Sequence, residues 1–493
     1  MTDFHAAAAT TDTPIEPSLP EGWELIVGLE VHVELDTETK LFCGCANRFG
    51  SEPNTNVCPT CLGLPGSLPV MNARAVEFAM ILGRALQCDV NRSVMARKNY
   101  FYPDMPKDFQ TTQYDQPTNA DGRVVLADGF VVGIERAHIE EDTGKSTHIG
   151  GGGRINDALY SLVDYNRAGV PLVEIVSRPD LRTIDHAKAF VEELRGILLA
   201  TGVSDARMEE GSMRVDANVS VRPRGSAELR TRCEIKNINS VRSLGRAIEF
   251  EARRHIDLWN SGDAPRQETR HWDEEGGRTR AGRSKEDADD YRYFQEPDLV
   301  PLEPSAETIA AIDAALPPLP SARRAALASV SGAEPDTVEL LVTRGQDRLA
   351  IAAIGAGADP EKVVTRLVND LAVDDWSRVT ASSFAALIGM ETAGELSATQ
   401  AKQVLADLAE KGGEPAAHAA ERGFEAMDTS ELEALVDRLV AEHPDEWDRF
   451  TTGDDGDRRK MQGFFTGQIM KATQGQADGK AVAQLLARRS TAG

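Results

Sequence analysis

Aromatic residues make up only 5% of the 493-residue chain, and cysteine occurs six times. No stretch approaches the roughly 20 consecutive apolar residues that a membrane helix needs, so no membrane-spanning helix is expected. Residues 1–20 mix Ala, Thr and Pro with Asp3, where a secretory leader would have a basic start and an apolar core. They read as a disordered tail, and the chain as cytoplasmic. Basic charge is also scarce: 54 Lys and Arg stand against 79 Asp and Glu, a formal net charge of -25. That balance argues against loose binding of nucleic acid by the whole surface, so an RNA ligand would need a local basic patch. In a reducing compartment, six cysteines hold metal more often than they pair as disulfides.

What is present divides the chain. Residues 21–304 are rich in short β-type runs, Gly turns and polar clusters, as in a mixed α+β body that carries chemistry. Pro297, Pro301 and Pro304 close it. Residues 305–425 turn Ala/Leu/Glu-rich with helical spacing, broken by Pro317-Pro318-Leu319-Pro320, and residues 426–493 form a further helical tail. The clearest helix follows Ser430. Ser430 and Glu433 match a capping box, and Leu432, Leu435, Val436, Leu439 and Val440 share a face that reads as core. Residues 458–493 reverse the charge of the chain, with Arg458, Arg459, Lys460, Lys471, Lys480, Arg488 and Arg489 against the single acid Asp478. This basic segment either meets RNA phosphates or is a solvated helix face.

The segment IVGLEVHVELD alternates. Val27, Leu29, Val31, Val33 and Leu35 point one way, and Glu30, His32 and Glu34 lie about 7 Å apart in a row on the other face. Two carboxylates flanking an imidazole suit a hard divalent cation or acid-base work; a solvent-facing polar strand is the alternative. A second acidic group runs from His138 through Glu140, Glu141 and Asp142. Glu174 sits inside the apolar run VPLVEIV, where a carboxylate is costly unless a cation or metal pairs with it. Glu209, Glu210 and Asp216 form a third acidic set in RMEEGSMRVDANVSV. Gly144-Lys145-Ser146-Thr147 imitates the end of a phosphate-binding loop, but Ile139 occupies the position of that motif's first glycine, which excludes it. The glycines at 150–153 read as a flexible turn.

Cys43 and Cys45, then Cys58 and Cys61, give two close thiol pairs joined by a short loop, a spacing that fits tetrahedral zinc. A redox pair at Cys58 and Cys61 would leave Cys43 and Cys45 unexplained. Four thiolates leave no open coordination position, so such a zinc is structural. Cys88 and Cys233 read as ordinary buried thiols.

The motifs VGLEVHVEL, RKNYFYPDMPK, HIEEDTGKSTH, SLVDYNRAGVPLVEIVSRPDLR, MEEGSMRVDANVSVRP, EIKNINSVRSL and DDYRYFQEPDLVPL, in this order, resemble the GatB family, the B subunits of tRNA-dependent amidotransferases. The resemblance extends through GFFTG near residue 465 into the tail. It implies a cradle-like, β-rich catalytic domain followed by all-α helical and tail domains. It also implies ATP-dependent phosphorylation and amidation of Glu-tRNA(Gln) or Asp-tRNA(Asn), in a heterotrimer whose other members are an amidase-type glutaminase and a small third protein. On matching positions it implies Glu30, His32, Glu140 and Glu174 as magnesium ligands, with Glu141 and Glu210 as further acidic candidates. Lys98 and Lys107 would lie on the ammonia path, and the basic tail would contact tRNA. Some family members lack the paired cysteines, so zinc belongs to the scaffold and not to the general mechanism. No Ser-Ser-Lys amidase constellation occurs, which leaves glutamine hydrolysis to a partner. The rival expectations are a non-catalytic protein for tRNA binding or assembly and a metal-dependent hydrolase acting alone.

Overall fold

The computed structural model describes residues 19–150, 158–282, 291–372, 375–424, 429–473 and 479–492. The tail expected over residues 1–20 lies almost wholly outside these residues, as does most of the glycine turn at 150–153. The chain divides after Ser321 into two compact units.

The first unit is built on a nine-stranded sheet. Its strands are β1 (Trp23–Glu34), β2 (Asp89–Val90), β5 (Asn119–Val125), β6 (Val131–Glu141), β9 (Pro171–Ser177), β10 (Met213–Pro223), β11 (Cys233–Ile238), β12 (Thr269–Asp273) and β13 (Arg278–Ala281). They lie in the order β13-β12-β11-β10-β1-β9-β6-β5-β2. A small sheet joins β3 (Ala96–Asn99), β4 (Phe109–Thr112) and β14 (Phe294–Gln295), and β7 (Lys145–Ile149) pairs with β8 (Tyr160–Asp164). Among the described residues the unit also holds the helices α1 (Ala73–Ala85), α2 (Ile184–Thr201), α3 (Val241–Ser261) and α4 (Ala306–Ala315). The expected α+β class agrees with this arrangement.

The alternation in β1 does what its sequence requires. Val27, Leu29, Val31 and Val33 are fully buried in one core with Phe190, Val191 and Leu194 of α2 and Leu244 and Ile248 of α3. Thr183 caps α2 by accepting from the His186 N–H, and Gly202 ends it at φ 67°, a left-handed conformation that costs glycine nothing. With the helices covering the aliphatic face of the sheet, the even positions of β1 are left for chemistry. A one-residue slip would exchange the two faces, so the aliphatic packing also fixes the register of the polar side chains.

Helix α4 packs with the β-rich body. Sequence composition starts the helical region after residue 304, but α4 packs on α1 through Arg84 and Asp313, 2.7 Å apart, and belongs to the first unit. The prolines at 297, 301 and 304 end the β-rich run without ending its core.

The second unit is helical. Helices α5 (Pro320–Ser331), α6 (Pro335–Thr343), α7 (Asp347–Gly355), α8 (Pro360–Asn369), α9 (Ala381–Ala393), α10 (Ala398–Lys411) and α11 (Pro415–Glu421) surround a core that contains Leu341, Phe384 and Leu405. Helices α12 (Thr429–Glu442), α13 (Pro444–Thr452), α14 (Asp455–Ala472) and α15 (Gly479–Ala492) build a separate core around Val436, Phe465, Ile469 and Leu486. The stripe read after Ser430 supplies part of it; the Ser430 side chain lies outside the described residues.

Glu251 fastens α3 to the sheet edge. Fully buried, it meets Arg254, Arg270 and His255 and accepts a 2.7 Å hydrogen bond from Thr279. Burial opposes its charge, but the donors His255, Arg254 and Thr279 outweigh it and draw the carboxyl down from 4.5 to about 2. A depressed carboxyl stabilises the fold above its unfolded value and loses that contribution as pH falls between 4.5 and 2. Glu251→Gln is expected to cost about 2–3 kcal/mol at pH 7. It should also flatten the acid limb of the thermal midpoint plotted against pH in calorimetry of the full chain.

Candidate active site and metal centres

Pairing in the large sheet decides which polar residues meet. β1 runs antiparallel between β10 and β9, which sets His32 opposite Glu174 and Glu30 opposite Asp216. On the other side of β9, His138 of β6 also stands opposite Glu174. Directly opposed residues share a sheet face, so two imidazoles flank one carboxylate, and Glu140, two residues past His138, joins them. His32 Nε2 lies 3.5 Å from Glu140 Oε1 and 3.5 Å from Glu174 Oε2; His138 Nε2 lies 3.6 Å from the same Glu174 oxygen. One ligand atom from each of His32, Glu140 and Glu174 falls within 4.8 Å of the others. Glu30 shares the face, but its carboxylate accepts a 2.9 Å bond from Asn218 and stands beside the trio.

Burial opposes charge on His32, yet the Glu174 hydrogen bond and the charges of Glu140, Glu174 and Asp216 push the imidazole up to about 9. Burial raises Glu140 to about 7. Burial also lowers His138 to about 4, which keeps it neutral. A protonated His32 is thus the cation that balances the acids. One imidazole nitrogen and two carboxylates also form a donor set that suits a hard divalent ion, for which the proton would be exchanged.

His32 and Glu140 line a cavity of about 380 Å³ whose other walls include Asp142, Arg214, Asp216 and Lys236. Each cation is anchored by acids. Arg214 donates to Asp142 at 2.8 Å, and Lys236 donates to Asp216 at 3.0 Å while meeting Glu234 at 2.9 Å. Sequence reasoning does not single out Arg214 as a site residue, and it meets His138 only as the start of an acidic run. The alternation used for β1 also applies to MRVDANVSV, where it puts Arg214, Asp216 and Asn218 on one face.

Glu141 goes elsewhere. Adjacent to Glu140 on β6, it points to the opposite side, pairs with Lys107 and accepts the Thr111 N–H at 2.8 Å. There it lines a second cavity, of about 250 Å³, together with Lys40, Cys61, Arg97, Lys107 and Glu296. Lys98 instead lies 4.7 Å over the Tyr291 ring. Glu210 is not brought to either cavity: it forms an exposed pair with Arg207 at 2.8 Å. In the basic tail, Arg458, Arg459, Lys460, Lys471 and Arg488 are exposed. Arg489 pairs with Asp437 at 2.8 Å, and the Lys480 side chain lies outside the described residues.

The four cysteines do converge. Sulfur atoms of Cys43, Cys45, Cys58 and Cys61 all lie within 4.8 Å of one another, and none is in a disulfide. Cys58 and Cys61 are 3.9 Å apart, close to the edge of about 3.8 Å that a tetrahedron with 2.3 Å zinc–sulfur bonds requires. The Cys61 thiol is drawn down to about 5, chiefly by the hydrogen bond from Cys43, with the Cys58 N–H and the charge of buried Lys40 adding to it. These residues fit a structural zinc ion.

Residues 25–310 match the model of the GatB/GatE catalytic domain, and residues 354–489 match that of the GatB domain. The chain belongs to the GatB/GatE family. It is 47% identical over 486 residues, 95% of each chain, to the B subunit of an aspartyl/glutamyl-tRNA(Asn/Gln) amidotransferase of Frankia casuarinae. The proteins of the same name from Streptomyces avermitilis and Leifsonia xyli are each 46% identical, over 94% and 96% of this chain and 95% and 97% of their own.

Elemental analysis of the purified chain is expected to find one zinc per molecule. Cys58→Ser should lose that zinc and lower the thermal midpoint. Full zinc retention by Cys58→Ser would remove this cysteine from the ligand set.

Proposed function

We propose that this chain is the B subunit of a tRNA-dependent amidotransferase, using ATP to activate the side-chain carboxylate of Glu-tRNA(Gln) or Asp-tRNA(Asn) and replacing the activated oxygen by ammonia. The observation that carries the reading is the convergence of His32, Glu140 and Glu174, the first two of which line a cavity whose other wall holds Arg214 and Lys236. Family membership and the B-subunit name shared by the relatives support it.

The chemistry explains why both kinds of wall are needed. A carboxylate is a resonance-stabilised anion and resists attack by ammonia, whereas an acyl phosphate offers a good leaving group and an electrophilic carbonyl. Making one brings a carboxylate and the triphosphate into the same space, and their repulsion must be offset. Arg214 and Lys236, fixed by Asp142, Asp216 and Glu234, present cations that need not reorganise when an anion arrives. His32, Glu140 and Glu174 would hold magnesium, which neutralises charge on a transferring phosphoryl group. Ammonia must reach this site unprotonated and shielded from water. Lys107, paired with Glu141 on the other side of β6, and Lys98 would act on that path, with a partner glutaminase and a small third protein completing the assembly. Contact with the body of the tRNA falls to the exposed basic residues of α14 and α15.

The complete complex is expected to convert labelled Glu-tRNA(Gln) or Asp-tRNA(Asn) to its amide only with ATP, and ammonium should replace glutamine as donor. Glu174→Ala should lower this rate about a hundredfold or more while tRNA binding survives. A complex that makes no product from either misacylated tRNA would overturn the reading.

A further inference from the structure

The small sheet β14-β3-β4 brings a group of tyrosines to the carboxylate site. Thr112, at the end of β4, lies 3.5 Å from Glu140 Oε2 through its hydroxyl. Tyr114 follows two residues later, at most about 7 Å further along the chain. Its ring stacks on Tyr293 with centroids 4.3 Å apart and planes 10° from parallel, and Tyr291 meets Tyr293 edge-on at 6.0 Å. Burial, Tyr291 and the charges of Glu174 and Glu140 push the Tyr293 phenol up to about 12.

The backbone that carries these rings is tightly held. Between Tyr291 and Tyr293, Arg292 has φ 46°, the left-handed region that a non-glycine residue occupies only where its surroundings over-determine it. Asn99 supplies that constraint. Its side chain donates to the carbonyls of Tyr291 and Arg292, both at 2.9 Å, and its N–H donates to the Tyr291 carbonyl at 3.0 Å. Tyr293 is half-buried between two rings, but Tyr114 is 60% exposed. Tyrosines arranged only to fill a core would bury the outermost ring; this stack ends on an open face.

We propose that the open face of Tyr114 is the stacking surface for an adenine base whose attached chain reaches the cavity of His32 and Glu140. The inference rests on the amidotransferase reading, in which both substrates carry adenine: ATP itself, and the 3′-terminal adenosine of the tRNA to which the amino acid is esterified. Stacking on an aromatic ring suits either, because it uses the π-face of the base and leaves phosphate or ester free to enter the site. A single ring face holds one base at a time, so the two sources are distinguishable.

The test uses the full-length chain assembled with its partner proteins, comparing wild type, Tyr114→Ala and Tyr114→Trp. Equilibrium dialysis measures affinity for labelled ATP, and filter binding compares tRNA(Gln) with and without its terminal adenosine. If ATP supplies the base, Tyr114→Ala weakens ATP binding about tenfold or more and Tyr114→Trp restores it. If tRNA supplies it, ATP affinity stays constant, and the preference for tRNA with its terminal adenosine disappears in Tyr114→Ala and returns in Tyr114→Trp. Wild-type binding of both ligands with Tyr114→Ala indifferent to each overturns the stacking surface alone. A wild-type complex that binds neither ligand overturns the amidotransferase reading beneath it.

Discussion

Glu174 holds a carboxylate well inside a nine-stranded sheet, with an imidazole on either side. A carboxylate so placed keeps its charge only if hydrogen bonds and neighbouring cations replace the water it has lost. Here the replacement comes across the sheet, from β1 and β6, so the three central strands are joined by charge on one face and by aliphatic packing on the other. His32 is pushed up by this arrangement and His138 down, although both touch the same oxygen of Glu174. Burial lowers both imidazoles; at His32 the Glu174 hydrogen bond and the charges of Glu140 and Asp216 outweigh it, while at His138 burial prevails and Arg136, His32 and Lys98 add to it. A single carboxylate thereby sorts two identical side chains into a cation and a neutral support.

The opposite wall of the cavity follows the same logic. Arg214 and Lys236 are each tied to carboxylates before any substrate arrives, so their side-chain freedom is lost in folding and not in binding. The site is consequently acidic overall yet offers an anion two immobile cations, a combination that a chain of net charge -25 would not suggest.

Much of this was legible in the sequence, and the reason is geometric. Alternation in IVGLEVHVELD places Glu30 and His32 on one face without knowledge of any partner, and the apolar surroundings of Glu174 mark it as a residue that needs a cation. What one strand cannot show is its register against the next. His138 and Lys236 become site residues only through the pairing of their strands with β9 and β10, which local sequence does not encode. Glu210, in a turn ahead of β10, has no periodicity to constrain it, and the structure puts it on the surface with Arg207. A related limit applies to domain boundaries: three prolines end local structure, but only the contact between α1 and α4 shows that α4 packs with the first core.

Glu140 and Glu141 are neighbours in sequence and occupants of different chambers. β6 is therefore a party wall, with the His32 site on one side and the Lys107 cavity, beside the four thiols, on the other. Which carboxylate goes to which side is set upstream, where the pairing of β6 with β9 shifts by one residue between Ile134 and Arg136. The two chambers are for that reason inherited together. A codon gained or lost in this short stretch would not damage one room and spare the other; it would exchange their fittings, sending each acid to the wrong chemistry. The length of β6 from its bulge to Glu141 is a quantity that neither chamber can revise alone.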